Sequence, residues 1–248
     1  NVFGHEFLDD YLLIVNGREL PRSEAIRTVV YPDHLVREYP GGIVEQLRPV
    51  DSLAAIGLLI TSPLPIALSF VPLFADGRRT GDFALVIDKG TALVARSNHL
   101  ARTAGQNYPV WLALSGRTGR AEPESSRSGN RFSPVRFSSA GRSRTHVLAF
   151  AVGDDQALAR DQAAVVLADP ARCFRLRRTR MEELLRQTLV RTEDHRFNDA
   201  LAWAKLSLDA LIMNQITRGI FAGLPWFNNY WGRDTFISLP GACLVTGR

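Results

Sequence analysis

Apolar residues fall in short runs through the first part of the chain, and turn-forming residues close each run. Tyr11-Leu12-Leu13-Ile14-Val15 is followed by Asn16-Gly17, a pair that tolerates positive φ and marks a tight hairpin. Runs at 27–31 and 35–39 flank Pro32-Asp33, and Pro40-Gly41-Gly42 closes the second of them. Further runs lie at 43–47 and 54–60. Those at 83–87 and 91–95 bracket Asp88-Lys89-Gly90, which predicts a hairpin with a three-residue loop, and 110–114 adds another strand. Many short strands at this spacing predict an antiparallel β-sandwich.

The pattern changes after a last apolar run at 147–152 that ends in Gly153. Asp154-Asp155 opens a helical stretch, because an Asp carboxylate accepts the free backbone N–H groups of a first helical turn. The spacing predicts a helix to 167 stopped by Asp169-Pro170, and a second over 171–190 carrying Met181, Leu184, Leu185 and Leu189. A third starts after Thr192 or Asp194. In it Phe197, Leu201, Ala204, Leu208 and Leu211 fall on one face, and Gly219 is the C-cap expected beyond its end. The switch of apolar period from two to 3.6 predicts a β-sandwich domain over 1–153, linker helices over 154–191, and the start of a helical domain over 192–248.

The stretch 115–145 reads differently. Ser115-Gly116-Arg117-Thr118-Gly119-Arg120, Ser125-Ser126-Arg127-Ser128-Gly129 and Gly141-Arg142-Ser143-Arg144 are small, polar and basic. Such composition buries too little apolar surface to offset ordering entropy, which predicts a long solvated loop or hairpin tip. The alternative is an Arg-rich nucleic-acid contact. The formal charge of +5 is almost entirely arginine, Lys89 and Lys205 being the only lysines. The arginines are scattered and form no dense stripe, so a nucleic-acid partner is not the expectation.

Cys173 and Cys243 are the only cysteines, too few for a disulfide framework in a chain of this length. They read as two buried thiols in a reducing compartment, and the localisation expected is cytoplasmic. No CxxC or His-rich spacing suggests a metal site, and no motif calls for a cofactor. No apolar run reaches the roughly 18 residues of a membrane-spanning helix. The longest stretch, 53–74, is broken by Pro63, Pro65 and Pro72 and reads as strands and turns. The chain starts at Asn1 without a Met, so the native N-terminus is expected to lie upstream.

Chemistry concentrates in 219–241. Two Trp, three Phe and a Tyr lie among Gly and Pro, and Arg233-Asp234 directly follows Trp231-Gly232. A pyranose offers neighbouring hydroxyls and an apolar C–H face. Carboxylates accept hydrogen bonds in pairs, guanidinium donates them from a planar fork, and an aromatic ring covers the C–H side. Trp226, Tyr230, Trp231, Arg233 and Asp234 supply all three elements. On composition alone, a buried Arg–Asp pair under aromatic packing at a helix start is the simpler reading.

The literal string adds to this. Gly223-Leu224-Pro225-Trp226-Phe227 with Trp231-Gly232-Arg233-Asp234-Thr235-Phe236-Ile237-Ser238-Leu239-Pro240-Gly241 resembles the signature of amylo-α-1,6-glucosidases, the glucosidase part of glycogen-debranching enzymes. Phe197, Ala200, Trp203, Ala204 and Lys205 resemble the first barrel helix of that family. The resemblance implies an (α/α)6 barrel behind a β-sandwich and an α-glucan such as glycogen or limit dextrin as substrate. It implies that Arg233 and Asp234 bind the non-reducing glucose. The catalytic carboxylates are then expected after Arg248, working with inversion, and Asp234 itself is the other candidate for the general acid. Asp199 and Asp209 read as solvated or capping residues. A chain with only the first barrel helices is expected to be a truncated, inactive piece of the enzyme. Two other classes stay open at this point: a non-catalytic carbohydrate-binding β-sandwich module, and an Arg-rich nucleic-acid-binding protein.

Overall fold

The computed structural model describes residues 8–75, 82–103, 106–187, 189–214, 218–224, 227 and 230–244. The strands among them are β1 (Asp10–Val15), β2 (Arg18–Glu19), β3 (Arg27–Val30), β4 (Leu35–Tyr39), β5 (Ile43–Val50), β6 (Ala55–Ile66), β7 (Leu68–Ala75), β8 (Phe83–Asp88), β9 (Thr91–Thr103), β10 (Gln106–Gly116), β11 (Arg120–Ser128), β12 (Arg131–Ser138) and β13 (Ser143–Gly153). Helices α1 (Gln156–Ala168), α2 (Pro170–Arg186) and α3 (His195–Leu211) follow, then the short strands β14 (Ile212–Asn214) and β15 (Arg218–Ile220), and α4 (Gly232–Leu239). The chain forms two compact units, one up to Arg177 and one from Arg178 onward.

The first unit is built from two antiparallel sheets. One has the order β11-β12-β7-β1-β2, the other β3-β4-β5-β6-β13-β10-β9-β8. Their aromatic side chains meet between them. Phe70 on β7 lies 4.8 Å from Phe150 on β13, and Phe74 lies 5.2 Å from Phe83 on β8. Phe70, Phe74, Leu58, Ile60, Leu114 and Leu148 are fully buried there. The outer face of the larger sheet is closed by α1. Ala159, Ala163 and Val166 pack on Ala113, Ala149 and Ala151, and small side chains on both sides allow the close approach. β13 is therefore covered on both faces, which explains its unbroken run of apolar residues. α1 starts where the sequence predicts, with the Asp155 carboxylate accepting from the backbone N–H of Leu158 at 2.7 Å.

The turn chemistry holds at Asn16-Gly17, where φ is 51° and 83° and Val15 pairs with Arg18. At Lys89-Gly90 the loop is one residue tighter than the sequence suggests. Asp88 pairs directly with Thr91, and both loop residues take positive φ. β6 also differs from the reading of 53–74, because it runs unbroken through Pro63 and Pro65. Its ladder to β13 jumps from Thr61 opposite Thr145 to Ile66 opposite Ser143. The two prolines sit in that bulge, where a missing N–H removes no ladder bond.

The largest departure concerns 115–145. The expected solvated loop is two strands, β11 and β12, with β12 paired to β7 as well. Phe132, Val135 and Phe137 supply the buried face, and β7 supplies the backbone partners. The glycines of the Arg-rich turn have a packing role. A Cβ on Gly116 or Gly119 would lie 2.1 or 2.9 Å from the Phe137 ring. Three arginines of this stretch are engaged within the unit. Arg120 pairs with Glu122, Arg136 with Glu124, and Arg131 with Asp9 and Asp10.

One polar cluster lies between the sheets. Glu45 on β5 is fully buried. It accepts from the Tyr11 hydroxyl of the smaller sheet, from Tyr39 Oη at 2.7 Å and from Arg37 Nη1 at 3.0 Å. Burial first, and then the adjacent Glu45 carboxylate, push both phenols well above the ordinary tyrosine range.

In the second unit, the sequence predicts helices alone. The antiparallel hairpin β14–β15 departs from that, and Gly219 lies within β15 instead of capping α3. α3 ends at Leu211; its C-cap Ile212 has extended backbone and, opposite Ile220, begins the hairpin. α2 ends at Arg186, short of the expected 190. Among the described residues no helix is long and apolar enough to cross a membrane.

Candidate functional site

α3 begins on Asp194, whose carboxylate accepts from the N–H of Arg196 at 2.9 Å and of Phe197 at 3.3 Å. Its apolar face is only partly covered, and Phe197 stays half exposed. Asp209 on α3, expected to be solvated or capping, is buried, and its carboxylate pairs with Arg180. Arg180 on α2 donates to its Oδ2 from both Nη atoms, at 2.8 and 3.0 Å. That carboxylate is committed to holding α2 and α3 together. Asp199 is exposed and lines a cleft of about 560 Å³ with Leu185, Val190, His195 and Lys205. The Lys205 ammonium donates to the carbonyls of Leu185 and Gln187 at the end of α2, and burial lowers its pKa. Among the described residues, none of the aromatic or Arg-Asp residues singled out in the sequence lines this cleft.

Those residues gather after the β14–β15 hairpin. Phe221 N–H donates to Leu211 O at 2.8 Å, which ties the strand exit to the end of α3. Phe221 then bridges to Tyr230, and the two rings meet edge to face at 4.9 Å. Between these two residues, Gly223 N–H donates to Phe227 O at 3.1 Å. The Tyr230 ring lies against Gly219, where a Cβ would come within 2.7 Å of it. Beneath sits a small core of Ile220, Ala242 and Cys243, with Leu208, Leu211 and Leu239 packed on it.

α4 begins at Gly232, two residues after Tyr230. Trp231 is its N-cap, in extended backbone, and its side chain makes no capping bond. Asp234 falls in the first turn, where the helix dipole favours a carboxylate. Arg233 Nη2 lies 3.6 Å from Asp234 Oδ2, with side chains 79% and 35% exposed. The pair is thus presented to solvent, not buried under aromatics as composition alone suggests. Trp231 and Phe227 are also exposed beside it in sequence. Trp226 lies outside the described residues. The arrangement places a planar donor fork, a paired acceptor and exposed aromatic surface on one short segment. Thr235, which sequence reasoning did not single out as a site residue, donates from Oγ1 to Ile220 O at 3.0 Å. Cys173 and Cys243 are both buried and unbridged. Burial, with Asp169 nearby, pushes the Cys173 thiol up and leaves it protonated. Among the described residues no group of His, Cys, Asp and Glu is placed to hold a metal ion.

Residues 187–248 match the family model described as amylo-alpha-1,6-glucosidase. No curated protein matches the chain. Among solved structures, it is similar to a family GH92 alpha-mannosidase from Bacteroides thetaiotaomicron, with TM-score 0.54 and 10% identity, covering 82% of this chain and 32% of that one. It is similar to a bacterial glucoamylase complexed with acarbose, with TM-score 0.52 and 10% identity over 92% of this chain and 39% of the other. A family GH92 inverting mannosidase from Bacteroides thetaiotaomicron gives TM-score 0.52 at 9% identity, over 85% and 32%. At these identities the likeness is one of fold. The chain spans between 32% and 39% of the length of these three structures.

Proposed function

We propose that this chain is part of a glycoside hydrolase that releases terminal α-linked glucose, an amylo-α-1,6-glucosidase that debranches an α-glucan. The observation that carries the proposal is the solvent-facing Arg233–Asp234 pair beside Trp231, within the segment that matches the family model. In this reading Asp234 accepts from two neighbouring hydroxyls of the non-reducing glucose, Arg233 donates to its oxygens, and Trp226, Tyr230 or Trp231 covers the apolar face. The β-rich part over 1–153 and the linker over 154–191 precede a helical catalytic domain that starts at 192. That domain completes its barrel with chain beyond Arg248.

The reaction itself needs two carboxyl groups. One, protonated, delivers its proton to the glycosidic oxygen. The other takes a proton from the water that attacks the anomeric carbon from the opposite face, and the configuration inverts. An inverting pair sits about 6.5–9.5 Å apart. Asp209 is bound to Arg180; in this reading the catalytic pair is expected after Arg248, with Asp234 as the alternative candidate for the general acid.

The test is glucose release from limit dextrin by the 248-residue chain and by a protein that continues beyond Arg248. The longer protein is expected to release β-glucose first, seen by proton NMR, and the shorter chain to release none. A longer protein inactive on every α-linked glucoside would overturn the proposal.

A further inference from the structure

α4 is weakly held by packing. None of its residues is buried, and Phe236 and Ile237 are 74% and 75% exposed. Leu239 at its last position packs on the Ile220, Ala242 and Cys243 core, and its first turn, where no side chain is buried, needs a further contact to fix its rotation. The Thr235 hydroxyl bond to Ile220 O is the contact placed to do so. Ile220 is itself fixed. It is 3% exposed, pairs with Ile212 across the hairpin, and is followed by the Phe221 bond to the end of α3. The Thr235 N–H also closes the first turn of α4 on Trp231 O at 2.9 Å.

Helix geometry turns this bond into an orientation. Successive residues are rotated by about 100°. With Thr235 directed at β15, Asp234 is turned about 100° away and Arg233 about 200° away. The exposures agree, at 35% for Asp234 and 79% for Arg233. A second contact seats the chain just before α4, where the Tyr230 ring occupies the space that a side chain at position 219 would need. We infer that Thr235 is a positioning residue, whose single hydrogen bond fixes the direction in which the Arg233–Asp234 pair faces; the inference rests on the sugar-gripping role proposed for that pair.

The test compares Thr235→Val, which keeps shape and branching but removes the donor, with Thr235→Ser, which keeps the donor. Both are made in the protein extended beyond Arg248. Amide hydrogen exchange reads the α4 first turn, and titration with isomaltose reads the pair. In Thr235→Val the first-turn amides are expected to exchange roughly 2–13-fold faster, the range of one neutral hydrogen bond. Isomaltose binding should weaken by a comparable factor, the β13 amides should be unchanged, and Thr235→Ser should restore both. Wild-type exchange in Thr235→Val, or a Thr235→Ser variant as fast as Thr235→Val, would overturn the inference. If exchange behaves as expected but neither wild type nor variant binds isomaltose, the positioning bond stands and the sugar-gripping reading falls.

Discussion

Replacing Glu45 by Gln keeps the shape of the side chain and removes its charge. The consequence follows from the three donors that converge on it. Tyr11, Tyr39 and Arg37 all point hydrogens at the two carboxylate oxygens of a residue with no solvent exposure. The amide offers one accepting oxygen and one N–H₂, so a phenol on its nitrogen side has to turn and accept instead of donating. The Arg37 guanidinium, with its side chain 14% exposed, loses its counter-charge. Breaking a buried pair by removing one partner costs about 3–5 kcal/mol. For a unit of this size each kcal/mol moves Tm by about 2–4 °C, so a fall of roughly 6–20 °C is expected. Urea unfolding followed by circular dichroism measures the loss, and the slope with denaturant should not change. Adding Arg37→Met to Glu45→Gln removes the stranded cation and should recover at least about 1 kcal/mol. A Glu45→Gln chain within about 1 kcal/mol of wild type, or a double variant weaker than the single, would refute the account of this cluster.

Three further outcomes are expected. Tyr11 and Tyr39 hold their protons to higher pH in the folded chain than in the unfolded one. Their contribution is thus complete below the ordinary tyrosine pKa of about 10 and is lost as pH rises through the folded values. The urea midpoint should fall above that pH, less steeply in Tyr11→Phe/Tyr39→Phe, and ionisation of all tyrosines together near pH 10 in the folded chain would contradict this. Gly57→Ala puts a Cβ 2.7 Å from two atoms of the Phe174 ring, so overpacking should cost about 1–3 kcal/mol, read as a lower Tm. In the protein extended beyond Arg248, Asp234→Asn should lower kcat/KM about 10–200-fold, equally on an activated aryl glucoside and on an α-1,6 glucan. Near-normal activity on the aryl glucoside alone would show that Asp234 is the general acid, since a good leaving group needs no protonation.

What the sequence revealed follows the range of the forces involved. Asn16-Gly17, Pro40-Gly41-Gly42, Asp155 and Asp194 act within a few residues, and the structure uses them as local chemistry dictates. β11 and β12 were not legible, because their stability comes from β7, far away in sequence, and from Phe132, Val135 and Phe137 scattered among arginines and serines. The β14–β15 hairpin was hidden for a related reason. The apolar residues Ile212 and Met213 continue the composition of α3, and only pairing with Arg218–Ile220 ends the helix. At the candidate site the residue types were readable from the string. That Arg233 and Asp234 face solvent, and that Thr235 ties them to β15, depends on contacts no local pattern encodes.

The order of the larger sheet sets a schedule for the newly made protein. β13 lies between β6 and β10, yet all thirteen strands of the two sheets except β13 itself leave the ribosome before it does. Until residue 153 has emerged, a β3–β6 half and a β8–β10 half each present an unpaired edge. Those edges carry Leu58 and Ile60 on one side and Leu112 and Leu114 on the other, all residues that end up buried. Unpaired apolar edges of this kind recruit other strands. Synthesis at about 5–20 residues per second leaves the two halves waiting for several seconds. During that interval a nascent chain is exposed to neighbours on the same messenger, and a holding chaperone has most to do there. Stalling translation just before β13 should therefore be more damaging than stalling just after it.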